Sequence, residues 1–253
     1  MTAVWKRAQY TTGGAKGVIA LIALSPTKLP DPLPISRAKH GMPTDTESGD
    51  AIELVARDRS EDAEWFVDQV VAPFADLITS DLGTEVAAAA LATEHAYVIE
   101  GELDDPDDLG HVQTAWALAK CLCEQGASIV IDVYAARAHL GVEVAALAPD
   151  RSFDIMHEVT LFFDETEGGS LAAWSLGLRK FGRPEIVLVD VDPAKTTEAA
   201  LLLRDIAATL AIGERIEPGD GVGAPDGRQL VAERFDPALA PIVSIEGDAI
   251  LLR

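Results

Sequence analysis

Cysteine is almost missing from this 253-residue chain, with Cys121 and Cys123 the only two. Two apart on a predicted helix, their side chains diverge by about 200° and cannot easily bridge each other. The helical wheel puts Cys123 in the apolar arc and Cys121 on its far side. Neither belongs to a Cys-x-x-Cys pair, and His95, His111, His139 and His157 are scattered, so no structural zinc site is expected. A chain without a disulfide framework fits a reducing cytoplasm. Basic residues are scarce as well: 20 stand against 42 acidic ones, for a formal charge of -22. A field of that sign repels phosphate backbones and anionic lipid, which argues against nucleic-acid and membrane partners. It attracts cations and basic protein surfaces, and it favours solubility. No run approaches the ~20 apolar residues of a membrane span. Val18–Leu24 follows Lys6, Arg7 and Lys16, but it lies late and lacks a small-residue cleavage site, so it reads as a buried strand and not as a signal peptide. No Gly-x-Ser-x-Gly run is present to place a nucleophilic serine after a strand.

What is abundant is apolar residue, 48% of the chain, enough to bury a large core. Strand patterns at 51–58, 96–102, 128–133, 153–163, 185–191, 228–235, 242–246 and 249–252 alternate with helical ones. The helices are expected at 61–80, bent or divided at Pro73, and at 85–92, 107–125, 170–181 and 194–211. The proline-rich stretch from Pro26 to Pro43, continued to Asp50, reads as a surface connection. Gly247-Asp248 suits a hairpin turn between the last two strands. This grammar predicts an α/β (α+β) protein, either two open α/β sandwich halves or one continuous mixed sheet with helices packed on it and antiparallel strands at the C-terminus. The halves are taken as residues 1–150 and 151–253.

Two glycine-bearing runs invite a phosphate-loop reading: Thr12–Gly17 and Gly177–Glu185, "GLRKFGRPE". A phosphate loop follows a strand and opens a helix, where free amides meet the anion. The first run precedes a strand. In the second, Arg179 and Lys180 fall in a last helical turn, Gly182 suits a left-handed position just past it, and Pro184 stops the helix. Both are therefore read as punctuation. This run resembles that of an uncharacterised bacterial domain-of-unknown-function family, in which a Gly-Leu step leads to a Phe-Gly-x-Pro-Glu turn and a strand. His111–Trp116, "HVQTAW", and Ile129–Val133, "IVIDV", resemble the middle of the same family. The family carries a His-Thr pair before the Gly-Leu step where this chain has Trp174-Ser175. The resemblance implies a fold and no activity.

Among candidate chemical groups, His157 on the 153–163 strand pattern shares a face with Ile155, Val159, Leu161 and Phe163 and is expected to point inward, with Glu158 on the opposite face. A buried neutral histidine is the simpler reading, a general base or ligand the sharper one. Asp132, Asp190 and Asp192 lie near the C-terminal ends of strands, where open α/β sheets hold ligands. Asp192-Pro193 also reads as a helix cap. Asp104, Asp105, Asp107 and Asp108 complement a helix dipole. No cofactor site is expected. Whether the chain is an enzyme stays open at this level. The leading reading is a non-catalytic cytoplasmic module that binds a basic protein partner. The alternative is a metal-assisted hydrolase using Asp132, Asp190 and His157, and pairing into a homodimer is a third possibility.

Overall fold

A computed structural model describes residues 2–44, 50–148, 153–224 and 227–253. Residues 45–49 of the expected surface connection, and the boundary expected at 150, lie outside them. The fold is α+β, two sheets with helices packed on them, and the chain divides into two compact units. One comprises Met1–Trp5, Val18–Leu103 and Asp108–Phe153, the other Lys6–Gly17, Asp104–Asp107 and Asp154–Arg253.

The first unit carries a five-stranded sheet in the order β2-β3-β1-β4-β5. Its strands are β1 (Lys16–Ser25), β2 (Ile52–Asp58), β3 (His95–Asp104), β4 (Ile129–Asp132) and β5 (Arg137–Leu140). Between them come α1 (Arg37–His40), α2 (Ala63–Phe66), α3 (Ala72–Leu82), α4 (Thr84–Leu91), α5 (Gly110–Glu124) and α6 (Gly141–Ala146). The division expected at Pro73 takes the form of a π-helical turn over Val67–Val71, in which the amide of Ala72 reaches back to the carbonyl of Val67. Pro73 brings no N–H to the ladder, and a widened turn absorbs the gap. Ile22, Leu24, Ile129 and Ile131 on the sheet pack against Phe66, Val70, Ile78 and Ala87. Each such side chain contributes roughly 1.5–3 kcal/mol by leaving water.

Helix α5 is covered nearly all round, so its wheel does not sort its side chains as expected. Cys121 is fully buried and Cys123 only partly. The polar Gln113 is buried on α5: its Oε1 accepts from the amide of Trp5, and its Nε2 donates to the carbonyls of Ala3 and Gly41. Strand β5 was not expected. It is four residues long and is held in register by β4, with Ile129 opposite Leu140.

The second unit carries a six-stranded sheet in the order β6-β7-β8-β11-β10-β9. After α7 (Ile155–Glu158) come β6 (Thr160–Glu165), β7 (Leu171–Leu176), a 3-10 turn (Leu178–Phe181) and β8 (Glu185–Val191). Then follow α8 (Thr196–Ala211), β9 (Gly221–Gly223), β10 (Gln229–Arg234) and β11 (Ala249–Leu252). Three expectations fail here. The 153–163 strand is a capped helix followed by a shorter strand, because the Asp154 carboxylate accepts from the amide of Met156 and turns the chain. The 170–181 helix is a central strand plus a 3-10 turn. Leu171–Leu176 is enclosed by β6 and β8, and a short strand buried on both faces shows no alternation to tell it from a helix. There is no terminal hairpin: β11 runs parallel to β8 and antiparallel to β10, and 242–246 forms no strand.

Candidate functional site

The two glycine runs prove to be anion nests filled by the protein's own carboxylates. Gly177 has φ 122, and a Cβ there would stand 2.2 Å from the Glu158 carbonyl oxygen, so only glycine fits. The 3-10 turn that follows aims its free amides at Glu185, the first residue of β8. Glu185 Oε1 accepts from the amides of Gly177 at 2.8 Å and Arg179 at 3.3 Å, and its Oε2 from the Ser175 hydroxyl at 2.7 Å. Burial pushes this carboxyl up to about 7, against the pull of Ser175 and the amides. Gly182 is left-handed, as the sequence predicts, with φ 62.

In the other run, Gly13 donates its amide to Asp105 Oδ2 at 2.7 Å. A Cβ on Gly14 would stand 1.9 Å from Arg183 Nη1. Tyr10 donates to the same Asp105 oxygen at 2.9 Å, and Arg183 Nη1 donates to Oδ1 at 3.1 Å. The buried Arg183 guanidinium also reaches the carbonyls of Thr11, Gly182, Gly213 and Glu214. Burial works to raise the Asp105 carboxyl, but Tyr10, Arg183 and the amides of Gly14 and Gly13 outweigh it and hold it below the usual carboxylate range. Arg7 caps α8 by donating to the carbonyls of Leu210 and Ala211. Desolvation, aided by Arg183, lowers it to about 10. Of the acidic run expected at one helix start, Asp108 does accept from the amide of Gly110, whereas Asp105 serves this network.

The sequence-predicted candidates separate. Asp132 is buried in the first unit, where its Oδ1 accepts from the amide of Ala135 and shapes a turn. Asp190 is exposed in the second unit. His157 is exposed on α7 and not inward on a strand, while its neighbour Glu158 is buried and accepts from Lys180 Nζ at 2.6 Å. Among the described residues no group of three or more His, Cys, Asp or Glu side chains is arranged to hold a metal ion. Asp192 does cap a helical turn, accepting from the amide of Ala194 at 2.9 Å. His40, which sequence reasoning missed, is buried in the first unit. Its Nδ1 accepts from the amide of Ser36 at 3.0 Å, so the ring proton sits on Nε2, 3.3 Å from Glu124 Oε2.

A trough of about 1390 Å³ lies in the second unit at the C-terminal ends of β8 and β11. Its floor includes Leu188, Leu202 and Leu252, and Leu201, Leu239 and Ile242 line it while staying largely exposed. Glu165, Glu167, Asp190 and Glu198 also line it, and their side chains form no hydrogen bond or ion pair with any described residue. Three cations line it too: Arg253 is paired with Glu233, Arg228 has a partner, and Lys195 forms no ion pair with a described residue. At this point β8 carries a bulge. Leu171 pairs with Val191 but Ala173 with Leu188, so β8 has one extra residue there, and Asp190 has φ 55.

Comparison with family models, with curated proteins and with solved structures finds no match. Among the described residues, no helix is long and apolar enough to cross a membrane.

Proposed function

We propose that the chain is a non-catalytic cytoplasmic binding module that docks a basic protein partner in the trough of its second unit. One observation carries this reading. The buried Glu158 and Glu185 and the partly buried Asp105 are bonded internally, whereas Glu165, Glu167, Asp190 and Glu198 line the trough together with exposed leucine and isoleucine and form no ion pair with a described residue. Carboxylates outnumber cations along the trough, five (Glu165, Glu167, Asp190, Asp192, Glu198) to three (Lys195, Arg228, Arg253), and apolar anchors with such an excess suit a partner of opposite sign, which electrostatics would also steer to the site. The overall charge of -22 acts in the same direction. Cysteines left unbridged, one fully buried, agree with a reducing compartment. A metal-assisted hydrolase built on Asp132, Asp190 and His157 gains no comparable support.

The test places a photo-crosslinking side chain at Ile242 in the trough, or at the exposed Val67 of the first unit, in the full chain inside cells. The expected result is one lysine- or arginine-rich segment captured at 242 alone, and lost when salt is raised before irradiation. Capture of an acidic segment, of the same segment at both positions, or of none overturns the reading.

A further inference from the structure

Two aspartates of the second unit adopt left-handed backbone, Asp105 at φ 34 and Asp190 at φ 55. Aspartate tolerates this region because its short polar side chain can bond nearby backbone. Asp105 uses its charge inside the protein, on Arg183, Tyr10 and Gly13. Asp190 does not: its carboxylate is exposed and makes no hydrogen bond or ion pair with a described residue. The bulge turns the strand so that this residue lines the trough. Conformation alone asks for glycine or asparagine at such a position as readily as for aspartate. The negative charge is therefore surplus to what the backbone requires, and it stands beside exposed Leu201 and Ile242 in one cavity.

We infer that Asp190 is the specificity-determining residue of the trough, receiving a lysine or arginine side chain that the bound segment presents between apolar residues. This rests on the docking role proposed above. The bulge presents the carboxylate, the apolar lining takes the flanking side chains, and the charge selects which segment is retained.

The experiment titrates the ¹⁵N-labelled full chain at low ionic strength with capped leucine-rich nonapeptides whose central residue is lysine, glutamine or glutamate. Amide shifts at 188–192, 198–202 and 238–242 report occupancy. For the native chain, the lysine peptide should bind about tenfold more tightly than the glutamine one, the order expected of one ion pair in a partly dry site. Asp190→Asn and Asp190→Gly both keep the bulge, so a purely structural role would survive in them. Both are expected to cut the preference for lysine to less than about twofold. A preference that persists in either variant overturns the inference. Equal binding of all three peptides in the trough overturns it while leaving the docking role standing. Failure of every peptide to shift the trough residues overturns both.

Discussion

Two carboxylates of the second unit sit in glycine-bearing nests, yet their surroundings drive them in opposite directions. Asp105 shares its nest with the guanidinium of Arg183 and the hydroxyl of Tyr10 and is held below the usual carboxylate range. Glu185 has amides and a hydroxyl around it but receives no guanidinium from the described residues, and complete burial drives it up to about 7. Glu185 loses its hydration completely and has dipoles alone to replace it, whereas Asp105 is only partly buried and has a full positive charge beside its dipoles. One nest therefore ties the segments 6–17 and 104–107 to the second unit at every physiological pH, and the other is sensitive to the proton.

The largest test of this contrast removes the cation. Arg183→Met leaves Asp105 as a partly buried charge without its partner and strips donors from the carbonyls of Thr11, Gly182, Gly213 and Glu214. It should cost about 3–5 kcal/mol in urea unfolding of the full chain. A loss under about 1 kcal/mol would mean that the amides hold Asp105 unaided.

Next in size is the proton linkage of Glu185. Its carboxyl rises from 4.5 to about 7 on folding, so the folded chain holds a proton over that window and the unfolded chain does not. The stability from this group is complete below pH 4.5 and is lost as pH rises through 7, a change of at most about 3 kcal/mol. Asp105 has the reverse sign, because its lowered group stabilises at neutral pH and that share is lost as pH falls through its folded value. Glu185→Gln should abolish the fall between pH 4.5 and 7 and leave the acid limb intact. If the slope in that window survives the substitution, another group carries it.

The nests show where sequence reasoning stops. Helix 194–211, strand 185–191, the Asp192 cap and the left-handed Gly182 were legible because each is set by neighbours within one or two turns. The order of glycine loop and strand argued against a phosphate loop at Thr12–Gly17, but at Gly177–Glu185 it relied on the expected 170–181 helix, and the run instead follows strand β7 and opens a 3-10 turn. That order could not show that the amides were aimed at carboxylates, since Asp105 meets Arg183 from 78 residues away. His157 and Glu158 exchanged their expected roles because Asp154 starts a turn that the alternation of Ile155, Val159 and Leu161 conceals. Asp190 was legible as a residue near the C-terminal end of a strand. Its bulge was not, since an extra residue shows only against the register of β7.

A finer test asks how much of the Asp105 nest depends on its neutral donor. Tyr10 bonds both the carboxylate and the backbone carbonyl of Asp105, and its own ionisation is raised, by burial first and then by that contact. Tyr10→Phe removes one donor while Arg183 and Gly13 remain, so the expected loss at neutral pH is about 1 kcal/mol. The folded carboxyl of Asp105 should rise, and the acid-side loss of stability should begin at higher pH than in the native chain. An unchanged acid limb would show that Arg183 sets the charge state alone. That outcome would sharpen the contrast with Glu185, whose carboxyl has only the Ser175 hydroxyl and backbone amides to pull against burial.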